Sequence, residues 1–389
     1  MKHKSNVLHL VAVLLSLALL MVGCGTETPG PDSTEGQSAL DSTDPTHFYE
    51  ELAENITIDA VVDGRTPGQI PAVYEGTIPP LNREVVDRFL TGIGDSVVQV
   101  VDEKSTEKSW LLNARTELGG FVSTSITVST TDRTGSVFSY TSAEELRYSV
   151  PVNYYSPCWR ALQPDSDNSE LYMEPRSFSF ATVEEADAQV RDCLALLGIH
   201  NVELEEILYL DHQILAEQEQ VEMSSSKEGQ DGSNLEDNES WTEADDAYHL
   251  YYEVGHEGIH MIPMLFDDRP QPYIPTEIRV MFNRNGIVSL YVETPWIFGE
   301  QVEAGETLLT AQEAMEKTKE ILLVAPAPYE QIVDRISLRY YYQQDGDRYI
   351  LRPCWVASVL GVDVVKFEGA DQINEYSYII LDAYTGQEF

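Results

Sequence analysis

The sequence predicts an α+β fold: two modules of antiparallel sheet with packed helices, joined by an acidic disordered linker. Three observations predict it. Runs of apolar and β-branched residues, broken by Gly, Pro, Asn and Asp, recur along both halves. Each half carries one amphipathic helix opened by Thr-x-x-Glu, at Thr182 with Glu185 and at Thr310 with Glu313. Between the halves, 217–246 holds eleven Asp and Glu against one base, Lys227, with a serine triplet at 224–226. Such a composition cannot bury apolar surface and reads as a linker or long loop. Its acids lack the alternation and glycine of a calcium loop.

The elements follow in order. Ile56 to Val62 alternates as a strand. Leu81 to Leu90 predicts a short helix with Asn82 as cap and Val85, Val86, Phe89 and Leu90 on one face. Phe121 to Thr130 and Ser136 to Tyr140 form strands joined through 132–135. Val183, Ala186, Val190, Cys193, Leu194 and Leu197 then keep helical spacing until Gly198 closes the helix, and Val202 to Leu210 returns to a strand. After the linker, Tyr248 to Val254 and Ile278 to Phe282 are strands, and Asn285-Gly286 turns the chain into Ile287 to Val292. The second capped helix runs through Leu322 and stops before Pro326 and Pro328. Ile336 to Tyr342 and Tyr349 to Val356 form a hairpin about Asp345-Gly346, and Tyr376 to Leu381 is the last strand.

The chain has 389 residues, 42% of them hydrophobic, so it is long enough for sizeable cores. Its 24 Lys and Arg against 66 Asp and Glu leave a formal net charge of −42. That balance argues against a phosphate-binding surface, and so no nucleic-acid partner is expected. It equally opposes electrostatic docking on anionic lipid.

Residues 1–23 read as an export signal: Lys2 and Lys4 supply the positive end, and Val7 to Val22 is apolar but too short to span a membrane. The run ends in Leu20-Met21-Val22-Gly23-Cys24 and turns polar at once, which resembles the bacterial lipobox. The resemblance implies a signal peptide removed before Cys24, lipid such as palmitate on that cysteine, and a mature chain anchored on the outer face of the cell membrane. Losing two lysines and no acid brings the mature charge to −44. Residues 24–46, rich in Thr, Pro, Gly, Ser and Asp, read as a flexible tether, followed by modules at 47–216 and 247–389. Of the other cysteines, Cys193 reads as a core residue, while Cys158 and Cys354 each sit in Pro-Cys-Trp, an edge-strand proline before a buried pair.

His256-Glu257-Gly258-Ile259-His260 satisfies H-E-x-x-H. On a helix that spacing brings two imidazoles to one zinc while the glutamate activates its water. The surroundings oppose a helix. Gly255 and Gly258 flank the motif, Pro263 follows it, and the residues before it read as a strand. A loop or hairpin is expected. The zinc-peptidase alternative would use His256 and His260 as ligands, Glu257 as base, and Glu277 or Glu293 as a third ligand. Asp165 to Glu170 begins like a calcium loop but lacks its glycine, with Arg176 where the last acid belongs. Tyr340-Tyr341-Tyr342, Tyr251-Tyr252 and Trp296 are expected to pack on sheet faces rather than line a groove. No cofactor is expected.

Tyr349-Ile-Leu-Arg-Pro-Cys-Trp-Val356 resembles the strand of PepSY-like and YycH/YycI-type extracytoplasmic proteins, and Tyr378-Ile-Ile-Leu-Asp-Ala-Tyr-Thr-Gly386 is similar to the hairpin that ends those domains. The whole plan also resembles uncharacterised lipoproteins of Gram-positive bacteria. The resemblance implies a non-enzymatic binding or regulatory module for an envelope protein or peptide. A solute-binding lipoprotein is a third reading, and it fits the anchor better than the body, where alternating βα units are not evident.

Overall fold

A computed structural model describes residues 46–63, 70–106, 109–127, 135–143, 169–217, 241–262, 276–305, 307–324, 326–346, 348–364 and 373–389. The first half gives β1 (His47–Ala53), β2 (Ile56–Asp63), β3 (Val73–Thr77), α1 (Arg83–Gly92), β4 (Val97–Ser105), β5 (Ser109–Thr116), β6 (Phe121–Thr127) and β7 (Gly135–Thr141). It continues with α2 (Ser169–Met173), α3 (Val183–Leu196) and β8 (Val202–Leu210). The second half gives β9 (Ala247–His256), β10 (Ile259–His260), β11 (Glu277–Asn283), β12 (Gly286–Glu293) and β13 (Ile297–Glu303). It ends with α4 (Ala311–Val324), β14 (Glu330–Asp345), β15 (Arg348–Val364) and β16 (Ile373–Asp382). With sixteen strands and four helices among the described residues, the fold is mainly β. The expected antiparallel pairing is present, and the helices are fewer and more peripheral than an α+β description implies.

The strands form two sheets. The first runs β1-β2-β14-β15-β3-β13, with β16 alongside β15. The second runs β10-β9-β11-β12-β7-β6-β5-β4, with β8 alongside β9. Among the described strands every ladder is antiparallel except β2 with β14, where Gln331 faces Ile56 and Ser337 faces Asp63.

This topology corrects the division into modules at 47–216 and 247–389. Strands from both sides of the acidic segment share each sheet, and all of them lie in one compact unit, Ser42–Phe389. The segment 217–246 joins two hydrogen-bonded neighbours, β8 and β9. A polar insertion within a hairpin has the composition of an interdomain linker, so composition could not separate the two. The end of the segment is part of the body. Trp241 packs against the cluster of Leu208, Leu210, Tyr251 and Met281, and Asp245 and Asp246 are buried. Residues 218–240 lie outside the described residues, so the expectation of disorder there is untouched.

Local signals place the helices. Asn82 accepts the Val85 N–H and caps α1, which buries Val85, Val86, Phe89 and Leu90. Phe89 meets Phe138 and Tyr140 of β7 edge-on at 5.0 and 5.5 Å between ring centres. Thr182 and Glu185 exchange both bonds of the capping box at the start of α3, and Thr310 and Glu313 do so before α4. The α4 helix buries Ala311, Ala314, Met315, Thr318 and Leu322. Nearby, the Trp355 indole donates to the Leu309 carbonyl at 3.0 Å.

Pro353 is not on an edge. β15 lies between β14 and the strands β3 and β16. The Pro353 carbonyl accepts from the Ala383 N–H, and a strand residue points its nitrogen and carbonyl the same way. The missing N–H therefore falls in the seam between the last β3 pair, at Leu351, and the first β16 pair, at Cys354.

Candidate functional site

Chemistry concentrates at the hairpin carrying the H-E-x-x-H sequence and in a cleft between the helices and the second sheet. In the first, β9 turns directly into β10, with His256 facing Ile259 and Gly255 facing His260. Glu257 (φ 52°) and Gly258 (φ 80°) both take left-handed backbone, the signature of a two-residue type I′ turn. The motif is thus the expected hairpin, and the helical juxtaposition that a zinc peptidase needs is not formed. Strand alternation sends His256 and His260 to opposite faces of the ribbon.

His256 lies among aromatic rings of the first sheet. It stacks on Phe298 of β13 at 5.1 Å and meets Tyr74 of β3 edge-on at 4.6 Å. Its partner His260 is 3% exposed and sits between carboxylates, with Nδ1 2.5 Å from Glu253 Oε2 and Nε2 3.1 Å from Glu203 Oε2. Gly255 permits this approach, since a Cβ there would stand 2.4 Å from the His260 ring. Arg339 of β14 completes the cluster: its Nη1 meets the same Glu253 oxygen at 2.5 Å and its Nη2 meets Asp63 at 3.2 Å. Burial would raise the Glu253 carboxyl, but the His260 hydrogen bond and the Arg339 charge outweigh it and hold the group below its ordinary range. Glu205 brings a carboxylate oxygen to the group, with ligand atoms of Glu205, Glu253 and His260 all within 4.8 Å. Beside the cluster, the Ile262 N–H donates to the Tyr340 carbonyl, so the chain leaving β10 touches the first sheet directly.

Glu277 and Glu293 do not join the histidines. They face each other across β11 and β12, with Arg279 Nε 2.9 Å from Glu277 and the Tyr291 hydroxyl bonded to Glu293. Tyr251, Tyr252, Tyr340 and Tyr342 are buried on strands as expected, whereas Tyr341 is half-buried and Trp296 is buried in the connection between β12 and β13, stacked on Tyr342. Arg176 pairs with Asp211 at 3.3 Å. Cys24, Cys158 with its Pro-Cys-Trp, and Asp165 to Asn168 lie outside the described residues. Cys354 is buried and Cys193 half-buried. Burial, with Asp192 beside it, pushes the Cys193 thiol up to about 11.

Sequence reading missed Arg339, Glu253, Glu203 and Asp63. A signal existed: Arg339 interrupts Leu338 and Tyr340, and Glu253 interrupts Tyr252 and Val254, each inside an apolar strand. A charge at such a position is tolerated when a partner neutralises it.

The cleft has a volume of about 470 Å³. Gly92 and Ile93 at the end of α1, Gln189, Asp192 and Cys193 of α3, and Asn285, Ile287 and Val288 around the β11–β12 turn form its walls. Tyr140 of β7 also lines it, and burial, with Asp95 nearby, pushes that hydroxyl up to about 12.

No protein-family model matches the chain, and no curated protein matches it. Among solved structures, an uncharacterised protein from Eubacterium rectale ATCC 33656 is similar in fold, with a TM-score of 0.59 at 15% identity, over 89% of this chain and 93% of that one. At that identity the likeness concerns the fold alone. No helix among the described residues is long and apolar enough to cross a membrane.

Proposed function

We propose that the protein is a lipid-anchored extracytoplasmic binding or regulatory module, held on the cell membrane through Cys24, that receives a segment of an envelope protein or a peptide. The observation that carries the binding reading is the cleft. Its volume of about 470 Å³ falls within the range of natural ligand sites, roughly 300–1,000 Å³. Its walls mix apolar Ile93, Ile287 and Val288 with polar Gln189, Asp192 and Asn285, the blend that gives burial together with orientation. The leader ending in Gly23-Cys24 supports the anchor, and the PepSY-like ending at 349–386 supports an envelope role.

Two experiments test it on the full chain in bacterial cells. Labelling with a palmitate analogue should mark the wild type and not Cys24→Ser, whereas equal labelling of both would overturn the anchor. A photo-crosslinking residue at Ile287 should yield a discrete adduct that is absent from the same probe at exposed Tyr49 and abolished by Cys193→Trp, which fills the cleft. Identical patterns from both probe positions would refute the cleft as the binding site.

A further inference from the structure

We propose that the cleft receives a basic side chain, a lysine or arginine of the bound segment, with its cationic head on the β7 side beside Tyr140 and Ser142. This rests on the cleft being the binding site and names what enters it. The fold builds that side around an uncompensated charge. Beyond the end of α1 the Asp95 N–H donates to the Leu90 carbonyl at 2.7 Å, and Asp95 is left only 5% exposed. Its Oδ1 accepts from the Ser96 and Leu118 N–H groups at 2.8 and 3.1 Å. Leu118 lines the cleft, so the carboxylate stands directly behind a wall. Its Oδ2 has no hydrogen-bond partner among the described residues, and no Lys, Arg or His pairs with it there. A carboxylate is rarely buried in this way without a partner. Two hydroxyls close by are unpartnered as well. Gly120 lets the β5–β6 turn close on the end of β7: a Cβ there would stand 3.1 Å from Thr116 Oγ1 and 3.3 Å from Ser142 Cα. Neither the Thr116 nor the Ser142 hydroxyl has a partner among the described residues.

The chemistry of the walls selects the occupant. Asp192 is the one charged residue among the described walls, and no base lines them. With Asp95 behind, the field inside is negative, and a cleft of low dielectric focuses such a field. A carboxylate or phosphate group would be repelled. A neutral amide would offer donors to the unpartnered oxygens and leave the charge uncompensated. An ammonium or guanidinium supplies donors and charge together. Tyr140 and Ser142 line the cleft and present hydroxyls to that head, while Asp95 acts through space from one layer back. Ile93, Ile287 and Val288 add apolar wall, which suits the aliphatic stem that lysine and arginine bury behind their heads.

The test measures fluorescence anisotropy of two rhodamine-labelled peptides, Gly-Leu-Gly-X-Gly-Leu-Gly with lysine or norleucine at X, added to the full chain in detergent. The lysine peptide should bind at least about tenfold more tightly. Asp95→Asn keeps the Oδ1 acceptor for Ser96 and Leu118 and removes the charge, so the preference should fall to about threefold or less. Asp192→Asn, on an exposed stretch of α3, should lower it as well and guards against misfolding of the buried variant. Glu330→Gln, exposed on the first sheet, should leave it unchanged. Thermal melts confirm that each variant is folded. Equal affinity for the two peptides, both lost in Cys193→Trp, would overturn the basic occupant and leave the cleft standing. A preference kept in both asparagine variants, or binding that survives Cys193→Trp, would overturn the proposal too. If neither peptide binds at millimolar concentration the proposal falls, and the Ile287 adduct alone decides the cleft.

Discussion

Replacing Arg339 with Met keeps the length of the side chain and removes its charge at a cluster that ties β9 of the second sheet to β14 and β2 of the first. Arg339 is 8% exposed and meets Glu253 at 2.5 Å and Asp63 at 3.2 Å. At an effective dielectric of about 20, a unit pair at the longer spacing attracts by about 5 kcal/mol. Desolvation of each ion opposes that gain by several kcal/mol, so the net worth of the intact cluster is small. The variant is a different case, because Glu253 stays buried without its guanidinium. Breaking one side of such a pair costs about 3–5 kcal/mol. Equilibrium unfolding in urea at neutral pH should show that loss, and Glu253→Met combined with Arg339→Met should recover part of it. The effect has a pH signature. Because Glu253 is held below its ordinary range, its contribution is full above the unfolded carboxylate value of about 4.3 and is lost as pH falls through the lower folded value. The gap between wild type and Arg339→Met should therefore close on acidification below about pH 4. A loss under about 1 kcal/mol, or curves that stay parallel through the acid range, would refute the argument that this is a buried, coupled cluster.

Further outcomes follow from single positions. Gly255→Ala places a Cβ 2.4 Å from the His260 ring and 2.7 Å from the Ile259 carbonyl oxygen; a loss of about 2–4 kcal/mol in urea unfolding is expected. Glu257 occupies left-handed backbone in the type I′ turn, so Glu257→Asn should stabilise by about 0.5–1 kcal/mol, measured the same way. Burial, with Glu205 beside it, raises the Glu206 carboxyl. Its contribution to stability is therefore full at low pH and is lost as pH rises through the folded value. Glu206→Gln removes this charge penalty and should raise the melting temperature at pH 7 by about 2 °C, with the gain vanishing near pH 4. Thr182→Ala removes half of the box that opens α3 and should cost about 1 kcal/mol, read from thermal melts.

What was legible in the sequence was local. Asn82 and the two Thr-x-x-Glu boxes stand where the pattern puts them, and the turns expected at Asn285-Gly286 and Asp345-Gly346 lie one residue away, at 284–285 and 346–347; each signal acts within four residues. Strands without alternation were lost. β4 exposes Val98, Val100 and Val101 on an edge of the second sheet, so its pattern carries no inward face to detect. Pairing at long range was not legible at all. Nothing local in Ile56 to Asp63 says that it lies parallel to Gln331 to Ser337. The cluster at Arg339 inherits that blindness, because its members come from β2, β8, β9, β10 and β14.

The same pentapeptide illustrates why a motif is a claim about backbone rather than letters. On a helix its two histidines would converge on one metal; on a type I′ ribbon they diverge and engage the first sheet from both faces. His256 does so through Tyr74 and Phe298, and His260 does so through Glu253 and Arg339. Gly255 and Gly258 decide between these fates. One leaves space for the His260 ring and the other accepts φ 80° at no steric cost. Because Met261 and Ile262 then lie directly on Tyr340, the ribbon is a place where the backbones of the two sheets meet.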